Sequence, residues 1–211
     1  MKDLNKKILG IILSGGMSRR MGCDKSQKKI KDKTLINLVL KRARNQVGCL
    51  AINSNKSIKF NSFGEKKYDV IPDCIRGNLG PLVGVLTGLK WAKKMQLESE
   101  WLVTFPVDSP FFPEDLVLQF FSEIKDEKIV VAKSRSKIHP VFSMWKLELE
   151  PFLEEAIENG IRKIDDFTKN FKTRVVNFSD FGYDPFFNVN DQDDLIKAEE
   201  IFLKFFKGKI V

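Results

Sequence analysis

Cysteine, which forms disulfides, and histidine, which together with cysteine holds many metal ions, are both scarce in this chain. Its 211 residues include three cysteines and one histidine. Cys23, Cys49 and Cys74 are widely spaced and contain no CxxC pair, so neither a disulfide framework nor a structural zinc site is expected. A Ser-His-Asp hydrolase or a histidine-rich metal centre would depend on His139 alone, which argues against both. We expect a reducing, cytoplasmic compartment.

Long apolar runs are also missing. The longest ones, Ile8–Leu13 and Trp101–Pro106, have the length of a strand and fall far short of the roughly 18 residues of a membrane-spanning helix. The basic start of the chain leads into too short an apolar stretch for a signal peptide. No membrane partner is therefore expected. At roughly 100–200 residues per domain, we expect residues 1–211 to form a single domain.

The charge is unbalanced towards the basic side, with 36 Lys+Arg against 28 Asp+Glu and a net charge of +8. This excess favours anionic partners but does not choose among a nucleotide, a nucleic acid, an acidic metabolite and a membrane surface. The cations are spread along the chain, with neither an RNP-like aromatic strand nor a helix-turn-helix pattern. We therefore expect no nucleic-acid partner, although a nucleic-acid module remains the alternative from another class.

Short β-branched runs alternate with longer segments at helical spacing, which is typical of an α/β fold. We expect a Rossmann-like three-layer sandwich with a mostly parallel central sheet and a small β-hairpin insertion around the polar stretch Lys133–Lys137. The predicted strands are Ile8–Leu13, Leu50–Ile52, Tyr68–Ile71, Trp101–Phe105, Ile129–Ala132, Val141–Trp145 and Thr173–Phe178. The predicted helices are Thr34–Val47, one that opens at Gly80-Pro81, Pro113–Ile124, Leu147–Glu158, Ile164–Asn170 and Asp191–Phe206.

A glycine-rich, basic loop directly follows the first strand. Gly15 and Gly16 allow a sharp turn in which successive backbone N–H groups face an anion. Its cations are Arg19, Arg20 and Lys25. The loop is neither a P-loop nor a GxGxxG fingerprint. Ligands of open α/β sheets bind at the carboxyl ends of strands, so the loop is interpreted as a triphosphate cradle. The alternative is a plain glycine turn with solvated basic residues.

Two acidic residues end predicted strands. Asp108 lies between two prolines after the most apolar strand, where a carboxylate can hold Mg²⁺ together with phosphate oxygens. The alternative is a turn or N-cap aspartate before the helix at Pro113. Asp73 ends the preceding strand in the same way. Gly80-Pro81-Leu82-Val83-Gly84 starts a helix whose N-terminus could receive an anion or simply pack closely.

Taken together, these segments resemble the molybdenum cofactor guanylyltransferase (MobA) family, and the match runs in order along nearly the whole chain. That family has an LxGGxSxRMGxDK loop, a GPLxG helix start, a PxDxPF turn, an HPxF segment and a late NVN segment. The corresponding residues here are Leu13–Lys25, Gly80–Gly84, Pro106–Phe111, His139–Phe142 and Asn188–Asn190. Two departures are Ser14, where alanine is common, and the basic stretch Ser26–Lys33, where the family tends to be apolar.

The resemblance implies a Mg²⁺-dependent transfer of GMP from GTP to molybdenum-bound molybdopterin, which forms the guanine dinucleotide cofactor and pyrophosphate. Lys25, Arg20 and Asp108 would be catalytic, and Asp108 would also hold the metal. The nucleotide would contact Leu13, Ser14, Gly15, Gly16, Lys25, Asn53, Asp73 and Asp108. Molybdopterin would contact Arg19, Gly22, Gly84, His139, Asn188 and Asn190. Other cofactor-synthesis proteins and recipient molybdoenzymes are further partners that the resemblance suggests.

Alternatives remain open within this resemblance. A CTP-dependent molybdopterin cytidylyltransferase, or another nucleotidyltransferase of the sugar-nucleotide type, would use the same cradle. A catalytically silent carrier could keep the cradle for docking and present an aromatic surface of Phe202, Phe205 and Phe206, which otherwise form the buried face of the last helix. His139 is either a hydrogen-bonded histidine that shapes the pterin side or a direct acid or base.

Overall fold

The structure, a computed structural model, describes residues 7–15, 25–61, 68–77, 79–95 and 98–207. The strands are β1 (Ile8–Leu13), β2 (Lys29–Ile30), β3 (Lys33–Thr34), β4 (Leu50–Asn53), β5 (Asp69–Ile71), β6 (Trp101–Pro106), β7 (Ile129–Ser134), β8 (Lys137–Lys146) and β9 (Thr173–Phe178). The helices are α1 (Leu35–Ala43), α2 (Pro81–Lys94), α3 (Leu116–Glu123), α4 (Glu150–Glu158), α5 (Ile164–Thr168) and α6 (Gln192–Phe205). Short 3-10 turns cover Lys25–Gln27 and Leu147–Leu149.

Seven of the strands form one sheet in the order β5-β4-β1-β6-β8-β7-β9. β1 pairs in parallel with both β4 and β6, β4 with β5, and β7 with β9, while β8 runs antiparallel to its two neighbours. The mostly parallel sheet and the β7–β8 hairpin confirm the predicted fold class. None of the described helices combines the length and the apolar character that crossing a membrane requires.

Strand registers place the ends of four strands in one row. Leu13 of β1 lies opposite Asn53 of β4 on one side and Pro106 of β6 on the other, and Asn53 lies opposite Ile71 of β5. All four residues are the last of their strands. Since parallel strands share one carboxyl edge, every loop that leaves this row starts from the same edge of the sheet.

Alternate side chains of β1 enter two different cores. Ile8 and Ile12 pack on the face covered by α1 and α3, and Leu9 and Ile11 on the face covered by α2, α4 and α5. This period of two places an apolar layer on both sides of the sheet, so β1 is buried along its whole length. The helix–sheet–helix layering that follows is the predicted three-layer sandwich.

A third core lies beneath α6. It joins Phe202 and Phe206 to Leu35 and Leu38 of α1 and to Phe111. The ring of Phe111 stacks on that of Phe206 with centroids 5.3 Å apart, and the half-buried Phe205 packs against Tyr183 at 4.9 Å. These phenylalanines therefore form the packed face of the last helix, and the alternative of an exposed aromatic docking surface is wrong.

Two predicted helix boundaries are wrong for a common reason. α1 ends at Ala43 instead of reaching Val47, and α3 begins at Leu116 instead of Pro113. The buried side chain of Gln46 donates to the carbonyl oxygens of Arg42 and Pro113, both at 3.0 Å, and accepts from the N–H of Val117 at 3.0 Å. One amide thus satisfies backbone groups at the end of α1 and the start of α3, where each helix has unpaired groups.

The segment that precedes α1 contains a structure that sequence patterning misses. β2 and β3 form a two-stranded antiparallel hairpin with Lys31 at a φ of 56° in its turn. Thr34 then caps α1, accepting a hydrogen bond from the Asn37 N–H at 3.4 Å. The basic stretch Ser26–Lys33 is therefore an ordered path into the first helix, with the apolar Ile30 fully buried beneath α6.

Candidate active site

A cavity of about 530 Å³ lies at the carboxyl edge of the sheet, above the row formed by Leu13, Asn53 and Pro106. The start of α2 and the β8 segment Lys137–Phe142 form its other walls. Predicted site residues that line it are Leu13, Ser14, Gly15, Lys25, Asn53, Asp73, Gly84, Asp108, His139 and Asn188. Gly16, Arg19, Arg20 and Gly22 lie outside the described residues. The remaining one, Asn190, does not line the cavity but contacts Lys25, which does.

Lys25, Asp108 and Asn190 meet at one end of the cavity. The Lys25 ammonium lies 3.2 Å from Asp108 Oδ2 and donates to Asn190 Oδ1 at 2.9 Å. The backbone holds this arrangement together, since Val107 N donates to the Leu13 carbonyl and Val189 N to the Asp108 carbonyl. The predicted turn after β6 and the NVN segment therefore meet at the same lysine. Asn190, expected on the molybdopterin side, thus contacts Lys25, the lysine expected to hold phosphate.

Asn53 and Asp73 form a second polar pair at the ends of β4 and β5. Asn53 Nδ2 donates to Asp73 Oδ1 at 2.9 Å and to the Ile71 carbonyl at 3.2 Å. Asn55 donates to the other carboxylate oxygen of Asp73 at 2.7 Å and accepts from the Asp73 N–H at 2.8 Å. Both amide protons of Asn53 are thereby committed, which fixes the direction of its oxygen. Asn55 was not among the predicted site residues, although a second asparagine two residues after a strand end was a signal.

The start of α2 approaches this pair closely because Gly84 has no side chain. A Cβ at Gly84 would lie 2.8 Å from Asn53 Oδ1 and 2.8 Å from Leu13 Cδ2. Gly80 has a φ of 89°, a conformation that favours glycine, and Pro81 follows as the first helical residue. Gly84, expected to contact molybdopterin, therefore packs against two residues expected to contact the nucleotide. The helix start packs closely and also lines the cavity, and its binding of an anion stays a prediction.

His139 lies on the opposite wall. Its side chain is 9% exposed, and its Nε2 lies 2.7 Å from Ser134 Oγ. Ser134 in turn donates to Asp184 Oδ1 at 2.7 Å. Burial lowers the pKa of His139, and the negative charge of Asp184 offsets this only in part, so the imidazole is neutral at pH 7. Neither Ser134 nor Asp184 was singled out from the sequence, since their link to His139 spans three separate segments.

A metal ion at this site would depend on substrate oxygens. Among the described residues, no group of three or more His, Cys, Asp or Glu side chains is placed to enclose a cation. Asp108 offers one carboxylate whose Oδ1 makes no hydrogen bond within the described part of the chain. One carboxylate that faces a cavity large enough for a nucleotide is a donor set that suits Mg²⁺, which is bound through one or two carboxylates, waters and phosphates. The residues present therefore fit a nucleotide-borne divalent metal.

Comparisons with known proteins find matches along most of the chain. The profile of the family described as MobA-like NTP transferase domain matches residues 10–172. The molybdenum cofactor guanylyltransferase of Rhodopseudomonas palustris strain BisB5 is 37% identical over 199 residues, which cover 92% of this chain and 93% of the relative. That of Mesorhizobium japonicum is 35% identical over 206 residues, covering 94% and 97%.

Solved structures share the fold. Molybdopterin-guanine dinucleotide biosynthesis protein A of Archaeoglobus fulgidus superposes with a TM-score of 0.73 at 23% identity, over 93% of this chain and 100% of that one. The 4-diphosphocytidyl-2C-methyl-D-erythritol synthase of Anaerococcus prevotii gives a TM-score of 0.71 at 13% identity, over 97% and 100%. Enzymes named for guanylyl and for cytidylyl products thus have the same architecture, so the fold alone does not select the base.

Proposed function

This chain belongs to the MobA-like NTP transferase family, and we propose that it transfers GMP from GTP to molybdenum-bearing molybdopterin, with release of pyrophosphate. The observation that carries the proposal is the gathering of Lys25, Asn53, Asp73 and Asp108 around one cavity at the carboxyl edge of the sheet. The names of relatives that are 37% and 35% identical over nearly the whole chain favour GTP over CTP. We take residues 1–211 to act as one domain.

The nucleoside of GTP is proposed to bind at the Asn53–Asp73 end. There the carboxylate and the amide oxygen provide acceptors whose directions are fixed by Asn55 and by the Ile71 carbonyl. A guanine base presents N–H donors and a ribose presents hydroxyl donors, so fixed acceptors are the complementary groups. Leu13, Ser14 and Gly15 would border the same end, and Gly16 would continue the loop.

The phosphates are proposed to lie beside Lys25 and Asp108. Lys25 would leave Asp108 to contact a phosphate oxygen, with Arg20 adding a second cation. Asp108 would hold Mg²⁺ as the divalent metal. When bound, Mg²⁺ supplies positive charge that offsets the repulsion between the triphosphate and an anionic acceptor.

The chemical step is an in-line displacement at the α-phosphorus of GTP. A terminal phosphate oxygen of molybdopterin forms the new P–O bond while the bond to the bridging oxygen of pyrophosphate breaks, and pyrophosphate carries away the electron pair. Because the attacking oxygen is already an anion, no side chain has to remove a proton from it. The chain's own contribution is alignment of the two substrates and neutralisation of their charge by Lys25. The acceptor would lie against the wall of His139 and Asn188, with Arg19 and Gly22 contributing from the loop.

The experiment that tests this proposal is GMP transfer by Asp108→Asn. The substitution keeps the size of the side chain and removes its charge, so we expect turnover with Mg²⁺-GTP to fall by about 10²–10³, the usual cost of losing one positioned electrostatic group. Mass detection of the guanine dinucleotide after incubation with molybdopterin-loaded carrier gives the rate. Asp115→Asn is the matched control, because Asp115 is exposed and its side chain caps no helix.

Three results would count against the proposal. Near-normal turnover by Asp108→Asn at saturating Mg²⁺ would contradict the assignment of Asp108 as the metal ligand. An equal loss in Asp115→Asn would indicate a general effect of charge rather than a site. Faster transfer from CTP than from GTP by the wild-type protein would replace the guanylyl assignment with the cytidylyl one.

A further inference from the structure

Three residues from three separate segments form a hydrogen-bonded chain beneath one wall of the cavity. His139 Nε2 and Ser134 Oγ are 2.7 Å apart, and Ser134 Oγ and Asp184 Oδ1 are also 2.7 Å apart. Asp184 Oδ1 additionally accepts from the Phe186 N–H at 3.0 Å. Ser134 is 1% exposed, His139 is 9% exposed and Asp184 is half-buried, so the hydroxyl and the imidazole are shielded from bulk water. The free energy of these hydrogen bonds therefore depends on which group donates each proton.

The direction of the protons follows from the chemistry of the three groups. An ionised carboxylate only accepts hydrogen bonds, and a serine hydroxyl has one proton to donate. Ser134 therefore donates to Asp184 and can only accept from His139. The Nε2 atom of His139 must then carry a proton. A neutral imidazole has one N–H, so Nδ1 is left with its lone pair free to accept.

The local backbone turns His139 towards the cavity. β7 and β8 pair Val131 with Ser143 and then Ala132 with His139, so the register shifts across Pro140–Phe142. Proline cannot donate to the ladder, and such irregularities re-aim side chains next to functional sites. The imidazole packs on the Phe186 ring with centroids 4.7 Å apart, and both residues line the cavity. Nδ1 makes no hydrogen bond within the described part of the chain.

We propose that Ser134 and Asp184 are positioning residues that hold His139 as the Nε2–H tautomer, so that its Nδ1 accepts a hydrogen bond from an N–H of the pterin. The inference rests on the proposed function, because that function brings a pterin to this wall. A pterin ring carries amide and amino N–H donors, and a fixed acceptor that is followed along the wall by apolar side chains recognises such a donor. Pro140, Val141 and Phe142 form the apolar surroundings. The lowered pKa of the buried imidazole is consistent with a neutral acceptor.

The first test reads the tautomer directly by nuclear magnetic resonance. Since the chain has one histidine, ¹⁵N-histidine labelling of protein without a histidine tag gives a single imidazole spin system. We expect an Nε2–H signal and a pyridine-type Nδ1 in the wild-type protein at pH 7.5. Asp184→Ala removes the acceptor of the serine proton, which frees that proton for Nε2. The expected result is a switch to the Nδ1–H tautomer.

Asp180→Ala is the matched control for this switch. Asp180 joins the same two segments through its ion pair with Arg135 at 2.8 Å, but it is exposed and has no contact with His139. Its substitution should leave the tautomer unchanged. An Nδ1–H tautomer in the wild-type protein, or an unchanged tautomer in Asp184→Ala, would overturn the proposal.

The second test is the kinetics of GMP transfer. Asp184→Ala turns Nδ1 into a donor that faces the N–H donor of the pterin, so we expect KM for the molybdopterin acceptor to rise about 10-fold or more while KM for GTP stays within about 2-fold. His139→Asn keeps an amide oxygen near the Nδ1 position and should retain more acceptor affinity than His139→Ala. Equal rises in both KM values, or equal effects of the two histidine variants, would reduce the network to a structural role and overturn the proposal. A wild-type protein that forms no dinucleotide from GTP would instead overturn the proposed function, and with it the pterin contact, whatever the tautomer.

Discussion

The substitution Gly84→Ala, which adds one methyl group, tests how the fold shapes the end of the cavity that is proposed to bind the nucleotide. In Gly84→Ala the new Cβ would lie 2.8 Å from both Asn53 Oδ1 and Leu13 Cδ2. The backbone accepts alanine there, because Gly84 is inside α2. The neighbours must therefore move. Asn53 has little freedom to do so, since its amide is tied to Asp73 at 2.9 Å and to the Ile71 carbonyl at 3.2 Å.

The expected magnitude follows from two opposing effects on stability. Overpacking costs about 1–3 kcal/mol, and replacing glycine by alanine within a helix returns about 1 kcal/mol. The net loss in the free energy of unfolding is then about 0–2 kcal/mol, which lowers Tm by at most about 8 °C for a chain of this size. Displacement of the Asn53 oxygen has a separate cost for the nucleotide. Loss of about 1.4 kcal/mol of binding corresponds to a tenfold rise in KM for GTP.

Gly88→Ala separates the two effects. One turn further along α2, its Cβ would lie 2.7 Å from Leu102 Cδ2 and 2.9 Å from Ile11 Cγ2, which are core side chains away from the cavity. We expect a similar loss of Tm with an unchanged KM for GTP. The assay measures initial rates of GMP transfer with GTP varied at saturating acceptor, beside thermal unfolding of both variants. An unchanged KM in Gly84→Ala, or the same rise in both variants, would refute the reasoning that Gly84 shapes the nucleotide end.

Three further predictions address charge, pH and buried polarity. Lys25→Met should lower the rate of GMP transfer by about 10²-fold or more, measured at saturating Mg²⁺-GTP, because the phosphates lose a positioned cation; an unchanged rate would contradict the assignment. The pKa of His139 lies below its ordinary value of 6.5, so the unfolded chain binds the proton more tightly and stability falls as the pH drops below about 6.5. Urea unfolding between pH 7.5 and 5.5 should show this loss in the wild-type protein and not in His139→Asn, since no other histidine titrates there. Gln46→Leu should lower the free energy of unfolding in urea by about 1–3 kcal/mol, because the Val117 N–H loses its partner. The KM for GTP should not change. An unaltered urea midpoint would refute the role of Gln46 in capping both helices.

The parts of the site that sequence could predict are those that the parallel sheet fixes. Strands of β-branched residues were recognisable, and their carboxyl ends in a parallel sheet meet at one edge whatever the details. Leu13, Asn53 and Asp108 therefore came together as the strand pattern and the family resemblance required. The register that puts Leu13 opposite both Asn53 and Pro106 was not predictable, because it depends on packing of the two cores against the sheet.

The parts that escaped prediction are held by single long-range hydrogen bonds. Gln46 ends one helix and starts another through contacts with Arg42, Pro113 and Val117, and no local pattern encodes such a contact. Asn190 reached Lys25 across 165 residues of sequence. Propensity and periodicity describe neighbours along the chain, so they give no information on which distant polar groups will pair.

The two ends of the cavity are consequently formed by different kinds of structure, so substitutions at each end should have different effects. The end proposed for the nucleotide sits on four neighbouring strand ends, so a change there disturbs the sheet and the packing of α2. The opposite wall, proposed for the acceptor, depends on the irregular β8 segment around Pro140 and on side-chain bonds from Ser134 and Asp184. Substitutions on that wall should therefore alter acceptor binding without moving these four strands. On this basis, we expect acceptor specificity to vary with residues such as Asp184 while nucleotide affinity stays constant, which is the KM split that the Asp184→Ala variant measures.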